Sequence, residues 1–274
     1  MTGASDWMGT VGRSWAAEWR RTDASFAQLT PQLLALIGEQ PGKTIVDVGC
    51  GAGELSIALA SARPEATVTG VDISEDLIKA ASLRADLPNL GFEYADATQW
   101  QPVQRPDLYV SRHGVMFFPD PSQAFTHLAE VAAPDARMVF SCFRKAADNA
   151  WAARIAELLP PGDLPAPQPF APGPFAFAEP DHVRRCMVGW HDHTFTPVDF
   201  GYVAGQGDDP VEEALALFRR IGPAAPALRA LPEDERPALE QRLRDLVEGH
   251  LEGDRVVFPA AAWLVTASSD HRNG

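Results

Sequence analysis

The sequence predicts an α/β fold whose mostly parallel, seven-stranded sheet carries helices on both faces. Between residues 44 and 143, short β-branched runs alternate with amphipathic stretches, an order typical of strands joined by crossover helices. A glycine-rich turn over residues 49–53 follows the first of these runs, and the acidic residue Asp72 ends the second. Because the carboxyl ends of parallel strands share one edge of a sheet, these groups should meet at one ligand-binding edge.

The predicted elements follow one another in regular order. Strands are expected at 44–48, 67–71, 91–95, 107–111, 137–143, 193–200 and 256–267, the last of them antiparallel. Helices are expected at 54–62, 75–85, 121–132, 149–159 and 180–187. One or two further helices are predicted within 14–38, and others in an insertion around 210–250. Ser74 and Asp120 stand where helix N-caps are expected.

A length of 274 residues is sufficient for one domain with a large core, so we expect a single domain over 1–274. Its predicted parts are an N-terminal helical lid, a core, a proline-rich cover, a helical insertion and a last strand, at 1–40, 41–145, 146–200, 201–255 and 256–267. The prolines of the cover exclude a regular helix or a central strand there.

Composition excludes several classes of partner. The formal net charge is −14, from 37 acidic and 23 basic residues. Nucleic acids and anionic membranes are bound mainly through Lys and Arg, so we expect neither as a partner. The three cysteines form no C-x-x-C pair, and the N-terminal residues lack the pattern of a signal peptide. We therefore expect a cytoplasmic protein, either a monomer or a homodimer.

The glycine turn distinguishes two kinds of nucleotide cofactor. In the dinucleotide fingerprint G-x-G-x-x-G/A, the third small residue lies beneath a pyrophosphate. Here the spacing is G-x-G-x-G, and Glu54 holds that third position, where its carboxylate would repel a diphosphate. With Asp47 two residues before the first glycine, the segment resembles motif I of the class I S-adenosylmethionine (SAM)-dependent methyltransferases, whose cofactor carries no phosphate.

The resemblance implies roles for individual residues. Motif I implies cofactor contacts from Asp47, Gly49, Cys50, Gly51 and Gly53. Asp72 matches the acidic residue that bonds both ribose hydroxyls, and Ile73 would lie against the adenine. Asp96 matches the acidic residue at the adenine amino group, with a backbone N–H from Ala97 nearby. A plain loop cap is the alternative for Asp96.

The loop after the fourth strand corresponds to the region beside the transferred methyl group. Backbone atoms of Arg112 are expected at the methionine moiety. His113 is the candidate catalytic residue, because an imidazole that titrates near neutral pH can orient or deprotonate a nucleophile. A buried histidine bonded to backbone, or a purely steric role, is the alternative. Methyl transfer can proceed by in-line positioning alone, so a missing acid–base pair does not argue against an enzyme.

The N-terminal segment contains Trp7, Trp15, Trp19 and the pair Arg20-Arg21. It resembles the helical lid that several small-molecule methyltransferases fold over the methionine end of the cofactor. Trp15 and Trp19 are therefore expected to bind the cofactor, with an aromatic ring over the sulfonium and an arginine at the carboxylate. Packing of the tryptophans against the sheet is the alternative.

Two histidines, His191 and His193, alternate on one face of a predicted strand. Two histidines without further ligands at a recognised spacing are a weak sign of a metal site. We predict no metal.

The chain resembles bacterial small-molecule methyltransferases related to the ubiquinone and menaquinone methyltransferase type, most closely over 44–145. This resemblance implies a Rossmann-like enzyme that transfers a methyl group in line (SN2) from SAM and leaves S-adenosylhomocysteine (SAH). The expected acceptor atom is an oxygen or nitrogen of a small aromatic or hydrophobic molecule, or of a short peptide. An NAD(P)-dependent reductase and a non-catalytic SAM-binding scaffold remain alternatives, although Glu54 and the lack of a Tyr-x-x-x-Lys pair weigh against the reductase.

Overall fold

A computed structural model describes the protein over residues 7–159 and 169–269. The strands in these ranges are β1 (Thr44–Val48), β2 (Thr67–Asp72), β3 (Leu90–Tyr94), β4 (Leu108–Arg112), β5 (Arg137–Phe143), β6 (Trp190–Gln206), β7 (Leu251–Glu252) and β8 (Arg255–Ser269). The α-helices in the same ranges are α1 (Thr10–Ala17), α2 (Trp19–Ser25), α3 (Thr30–Gly38), α4 (Glu54–Ala62), α5 (Glu75–Ser82), α6 (Pro121–Val131), α7 (Ala150–Leu158), α8 (Pro180–Cys186), α9 (Pro210–Arg220), α10 (Ala224–Ala230) and α11 (Arg236–Glu248).

All strands belong to one sheet in the order β3-β2-β1-β4-β5-β8-β6, with β7 added beside β8. Strands β1 to β5 pair in parallel, whereas β8 is antiparallel to both β5 and β6. The predicted α/β class with an antiparallel last strand is therefore confirmed. The sheet has eight strands rather than seven, because the chain turns at Gly253 (φ 64°) and pairs Leu251–Glu252 with the start of β8.

The central strands are buried along almost their whole length. In β1 and β5, every residue after the first is buried, which means that both faces of the sheet are covered. The covering helices contribute buried apolar side chains, among them Leu33, Ile37, Leu55, Leu59, Phe125 and Leu128. The two predicted N-caps are confirmed, since Ser74 Oγ accepts a hydrogen bond from Leu77 N and Asp120 Oδ1 accepts one from Gln123 N.

Strand β6 is much longer than the sequence predicts. It covers 190–206 instead of 193–200 and pairs with β8 along nearly its whole length, with irregularities after His191 and after Val203. Pro197 and two glycines, Gly201 and Gly205, lower its intrinsic strand propensity, so the sequence pattern understates it. The long antiparallel partner β8 overrides that local preference.

Among the described residues, three helices precede the first strand, whereas one or two were predicted within 14–38. Helix α1 crosses α5 so closely that a Cβ added to Gly12 would lie 2.2 Å from Ser74 Oγ. Helix α2 packs against β6, and Ser25 Oγ donates a hydrogen bond to Val203 O at 3.0 Å. The N-terminal helices therefore lie near the carboxyl ends of the parallel strands, where Ser74 follows β2.

The insertion between β6 and β7 consists of α9, α10 and α11. Helix α9 packs directly on β6, since a Cβ added to Gly205 would lie 2.0 Å from Pro210 O. Part of the predicted proline-rich cover, at 160–168, lies outside the described residues. No helix in the described part of the chain has the length and apolarity that a membrane span requires.

Candidate active site

A cavity of about 350 Å³ opens at the carboxyl edge of the sheet. All but one of the site residues predicted from the sequence line it. Those that do are Trp15, Trp19, Asp47, Gly49, Cys50, Gly51, Asp72, Ile73, Asp96, Ala97, Arg112 and His113. The parallel strands bring these residues together because each lies in, or just after, the end of a strand, or in the helices that cover that edge.

Gly53 is the predicted site residue that does not line the cavity. It has a φ of 83°, and an added Cβ would lie 2.7 Å from Phe92 Cζ in β3. The absence of a side chain at Gly53 therefore allows close packing of the turn against β3. The cofactor contact of Gly53 stays a prediction, because the motif pattern does not distinguish packing from cofactor binding as the use of this glycine.

The turn after β1 is hydrogen-bonded within the protein. Gly49 and Gly51 have left-handed φ values of 66° and 56°. The amides of Gly49 and Cys50 donate to Val71 O at 2.8 and 3.1 Å, and the amide of Gly51 donates to Asp72 Oδ2 at 2.9 Å. A dinucleotide turn points free amides at a pyrophosphate, so these three bonded amides argue against one here.

Asp72 is held rigidly at the end of β2. Its Oδ1 accepts a hydrogen bond from Ser74 N at 2.8 Å, while its Oδ2 accepts the bond from Gly51. Burial raises the pKa of Asp72, and the backbone amides at Ser74, Gly51 and Ile73 partly offset that rise. Each carboxylate oxygen retains a lone pair, so the residue fits the two hydroxyls of a ribose.

Asp96 follows β3 and lines the same part of the cavity. Its Oδ1 accepts hydrogen bonds from the amide and the hydroxyl of Thr98 at 2.9 and 2.8 Å. This is the loop cap that the sequence left open as an alternative. The cap and a contact with the adenine amino group are compatible, because one carboxylate has two oxygens.

Asp47 is almost fully buried and has one unpartnered oxygen. Its Oδ2 accepts a hydrogen bond from Ser56 Oγ at 2.6 Å, whereas Oδ1 has no partner among the described residues. Burial raises the pKa of Asp47 to about 6, although Ser56 and Arg112 act to lower it. A buried carboxylate oxygen is costly unless it receives a donor, so the position suits a cationic group such as an α-ammonium.

A chain of ion pairs lies beside the methionine end of the predicted cofactor site. The guanidinium of Arg112 binds the Glu54 carboxylate, Asp23 Oδ1 at 3.1 Å and Thr30 Oγ1 at 2.9 Å. Asp23 Oδ2 in turn accepts a bond from Arg84 at 2.7 Å. This network connects α2 to β4, to α4 and to the chain just after α5. In it, the Glu54 carboxylate, which the sequence predicts to repel a diphosphate, is paired with Arg112.

Sequence reasoning missed Asp23 and Arg84. Asp23 meets Arg84 and Arg112 across 61 and 89 residues of chain, so no local spacing indicates either pair. The arginines expected at the cofactor carboxylate lie elsewhere. Arg21 binds Glu18 and Glu213, Arg20 stacks on Trp19 at 4.3 Å, and neither arginine lines the cavity.

The lid tryptophans have unequal environments. Trp19 already stacks against the guanidinium of Arg84 at 3.8 Å, in addition to Arg20. Trp7 packs against Trp15 and Phe117, with ring centroids 5.5 and 4.9 Å apart, and all three line the cavity. Trp7 and Trp15 are therefore better placed than Trp19 to offer an aromatic face to a sulfonium.

His113 is buried in a left-handed backbone conformation, with a φ of 62°. Its Nδ1 lies 2.8 Å from Ser141 Oγ, while Nε2 has no partner within the described chain. Its ring packs on Phe26 and Phe143, with centroids 4.8 and 4.1 Å away. Burial, with a smaller contribution from Arg112, lowers the pKa of His113 to about 3, so the imidazole is neutral at neutral pH.

The cavity has two chemically different parts. The cofactor lobe is the part lined by residues 47–52, 71–73 and 95–98, and it contains three carboxylates. The aromatic lobe is the part lined by Phe26, Phe143, Trp151, Tyr202 and Ile221. Phe26 and Phe143 both contact His113, so the imidazole lies where the aromatic lobe begins. Tyr202 was not among the residues predicted from the sequence, because its spacing within β6 resembles ordinary core.

Within the described residues, no group of three or more His, Cys, Asp or Glu side chains is arranged to hold a metal ion. His191 and His193 lie in β6, on either side of Asp192, which has a φ of 53°. The register of β6 with β8 shifts between His191 and Thr194, so the strand is irregular at these two histidines.

Comparison with known proteins identifies the core. Residues 39–160 match the family model of a methyltransferase domain. Over 130 residues the chain is 32% identical to trans-aconitate 2-methyltransferase of Escherichia coli, a match that covers 47% of this chain and 48% of that protein. The chain thus spans about half the length of the curated relatives it matches.

Two solved structures share the fold over most of the chain. One is a chain in the complex between the Haloferax volcanii Trm112 methyltransferase activator and a putative methyltransferase, with a TM-score of 0.54, 17% identity, and coverage of 95% of this chain and 98% of that one. The other is a putative methyltransferase from Bacillus halodurans, with a TM-score of 0.52, 13% identity, and coverage of 88% and 98%. At these identities the likeness concerns the fold alone.

The residues present fit SAM, the cofactor of this kind of domain. Asp72 offers two acceptors, Asp47 offers an unpartnered buried oxygen, and the turn amides that a diphosphate would need are already bonded. Together with the domain match over 39–160, these features decide between the nucleotide cofactors that the glycine turn left open. Residues 39–160, which match the model of a methyltransferase domain, are similar to the class I SAM-dependent methyltransferases.

Proposed function

We propose that the protein transfers a methyl group from SAM to an oxygen or nitrogen of a small aromatic or hydrophobic molecule, or of a short peptide. The observation that carries this proposal is a single cavity that joins the cofactor lobe to the aromatic lobe, with His113 between them. Bound SAM supplies a methyl carbon activated by its sulfonium and leaves as SAH.

In this proposal, each residue of the cofactor lobe holds one part of SAM. Asp72 accepts hydrogen bonds from the ribose hydroxyls, and Asp96, Ala97 and Ile73 surround the adenine. Asp47 Oδ1, which has no other partner in the described chain, accepts a hydrogen bond from the α-ammonium. The buried position of Asp47 makes this contact strong, because little water competes for it.

The residues around the methyl end exclude water and fix the acceptor. Trp7, Trp15 and Phe117 cover the cavity from the N-terminal side. We propose that Nε2 of His113 forms a hydrogen bond to the acceptor and orients it. A pKa of about 3 leaves the imidazole a poor proton acceptor at neutral pH, so this role is favoured over that of a general base.

The acceptor named for the Escherichia coli relative, trans-aconitate, does not suit this cavity. A polycarboxylate needs cationic side chains, as Arg or Lys supply in pairs with carboxylates. Among the described residues that line the cavity, Arg112 is the only Arg or Lys, and it already binds two carboxylates. An uncharged acceptor is therefore favoured.

Other partners remain proposals that rest on the sequence. The net charge of −14 favours neither nucleic acid nor an anionic membrane as partner, and a monomer or homodimer in the cytoplasm stays our expectation.

Calorimetric titration with SAM, SAH and NAD tests the proposal. We expect SAM and SAH to bind and NAD to show no binding. Binding of NAD alone would support the reductase alternative. If SAM binds but no SAH is released when the protein is incubated with a library of aromatic phenols, amines and short peptides, the non-catalytic alternative gains support.

A further inference from the structure

The aromatic lobe contains a buried indole N–H that the protein does not use. Trp151 lies in α7, lines the cavity and is 6% exposed. Its Nε1 has no hydrogen-bond partner within residues 7–159 and 169–269. Indole nitrogen is only a donor, and a buried donor without an acceptor costs on the order of 1–3 kcal/mol.

Other tryptophans of the chain show how this protein treats buried indoles. Trp190 Nε1 donates to Phe125 O at 3.0 Å, Trp263 Nε1 donates to Ala178 O at 2.9 Å, and Trp100 Nε1 donates to Glu93. None of these three lines the cavity. One other tryptophan, Trp7, also has a buried N–H without a partner among the described residues, and both Trp7 and Trp151 line the cavity. The buried indoles that lack a protein partner are thus the ones at the cavity, which suggests that the partner is a bound molecule.

The walls around Trp151 are flat and aromatic. Tyr202 stacks on Trp151 with ring centroids 5.2 Å apart and planes inclined by 20°. The ring centroid of Phe143 lies 5.3 Å from that of Trp151 and 4.1 Å from that of His113, so Phe143 contacts both residues that carry an unpartnered polar atom in this part of the cavity. A planar molecule in this lobe would lie among residues that offer two polar atoms without a protein partner, His113 Nε2 and Trp151 Nε1.

The charge of the lobe excludes ionic recognition. No Lys or Arg other than Arg112 lines the described cavity, and the aromatic lobe itself contains no carboxylate. Recognition must then come from apolar area, ring contacts and the two polar atoms.

We propose that the acceptor is an uncharged planar aromatic compound with an oxygen that accepts a hydrogen bond from Trp151 Nε1, at the end opposite the atom that receives the methyl group. This inference rests on the proposed methyltransferase function and specifies its substrate class. Trp151 is in this view a specificity-determining residue, and it takes no part in the methyl transfer itself.

The test uses three uncharged probes on the full chain saturated with SAH, so that no turnover occurs. The probes are 2-acetylnaphthalene, its isostere 2-isopropenylnaphthalene, which lacks the carbonyl oxygen, and the saturated 2-acetyldecahydronaphthalene. We expect the first probe to bind about tenfold more tightly than either of the others, since each lacks one recognised feature. Equal binding of the three on the unaltered protein would overturn the inference without any variant.

A matched pair of variants locates the hydrogen bond. Trp151→Phe should weaken 2-acetylnaphthalene about tenfold and leave 2-isopropenylnaphthalene within about twofold. Trp190→Phe is the control, because it deletes an indole N–H that already has a protein partner. It should lower the melting temperature by more than Trp151→Phe does, with no change in the preference between probes.

Two results would contradict the inference. One is that Trp151→Phe keeps the parent's preference for the carbonyl probe, and the other is that 2-acetylnaphthalene and 2-isopropenylnaphthalene both bind this variant more weakly by the same factor. Calorimetry with SAH in the same samples separates this failure from failure of the proposed function. If SAH binds normally while the probes show no preference, only the acceptor inference falls, and if SAH itself does not bind, the methyltransferase proposal falls first.

Discussion

The cofactor lobe and the aromatic lobe share one cavity but are built in different ways. In the cofactor lobe, short turns after strands are held by local backbone hydrogen bonds, such as those from Gly51 and Ser74 to Asp72. In the aromatic lobe, rings from the distant residues Phe26, Phe143, Trp151 and Tyr202 pack against one another. The first lobe is specified by motif spacing, and the second exists only once the chain has folded.

This difference suggests how the two lobes can change independently. The cofactor lobe depends on dihedral angles and hydrogen bonds that few residues can satisfy, so substitutions there should alter SAM affinity sharply. The aromatic lobe depends on shape and ring contacts, which tolerate exchange between residues of similar volume. Substitutions there should alter acceptor choice while SAM binding persists.

Asp72→Ala should have the largest effect, and the effect should be confined to the cofactor lobe. Loss of the hydrogen bonds that two ribose hydroxyls donate to the carboxylate should weaken SAM binding by about 3 kcal/mol, on the order of a hundredfold in Kd measured by calorimetry. Asp209→Ala is the control, because Asp209 also accepts a backbone N–H, from Glu212, but lies outside the cavity. Unchanged SAM affinity in Asp72→Ala would remove Asp72 from the site.

Asp47→Asn should separate stability from cofactor binding. Burial raises the folded-state pKa of Asp47 to about 6, so the stability it contributes is full below pH 4 and is lost as the pH rises through 6. At pH 7.5 the free energy of unfolding of the variant, measured by urea denaturation, should therefore exceed that of the parent by about 2–3 kcal/mol. At pH 4 the two values should be equal.

The same variant should bind SAM less tightly at pH 7.5, because the α-ammonium loses its anionic acceptor. In the parent, SAM affinity should fall as the pH drops through 6, and this step should be absent in Asp47→Asn. Glu54→Gln is the control, because burial also raises the pKa of this nearby carboxyl group, and the variant should retain the step. If Asp47→Asn bound SAM normally across this range, the ammonium contact would be refuted.

The sequence was sufficient for the cofactor lobe because its residues occupy short segments at the ends of strands. Asp72 and Asp96 could be placed by order alone, since parallel strands bring their carboxyl ends to one edge. The role of Gly53 could not, because only the folded chain reveals Phe92 against it. The neutral state of His113 likewise depends on burial by Phe26 and Phe143 that no local pattern encodes.

The sheet shows the same limit. The parallel strands were predicted within one or two residues, whereas β6 was predicted at less than half its length and the two-residue β7 was not predicted at all. Both depend on pairing with β8, which lies across tens of residues of intervening helices from β6 and directly follows β7 through a two-residue turn. Pairing with another strand overrides local propensity, and the pattern of a single sequence does not indicate which strands pair.

Asp23→Asn tests whether the ion-pair network joins the two lobes. Asp23 bridges Arg84 and Arg112 and fixes α2, whose C-terminal neighbour Phe26 begins the aromatic lobe. We expect a loss of about 1–2 kcal/mol in the free energy of unfolding, measured with urea, because two guanidinium groups lose a shared partner. Asp181→Asn, in an exposed pair with Arg184, should cost less than about 0.5 kcal/mol.

Both ligands should bind less tightly to Asp23→Asn, since α2 covers the cofactor lobe and contributes to the aromatic one. A few-fold rise in Kd for SAH and for 2-acetylnaphthalene together would support a shared lid. A loss of stability equal to that of Asp181→Asn, with both Kd values unchanged, would show that the network is incidental to binding.

His113→Asn should have the smallest effect and should act where the lobes meet. Asparagine tolerates the φ of 62° at this position and retains a polar atom near Ser141, but it cannot reach where Nε2 lies. Turnover of an acceptor identified by SAH release should fall about five- to tenfold, a barrier increase of roughly 1 kcal/mol, while the Kd of SAM changes less than about twofold.

The pH dependence of this loss distinguishes orientation from base catalysis. A neutral imidazole with a pKa of about 3 keeps the same charge from pH 5 to pH 8, so at saturating SAM the ratio of parent to variant turnover should stay constant over that range. A general base with an ordinary histidine pKa would become protonated as the pH falls through about 6.5, and the parent would lose its advantage there. A ratio that shrinks below pH 6.5 would therefore restore His113 as the base, whereas a constant ratio would establish that the acceptor is positioned, and not deprotonated, at the junction of the two lobes.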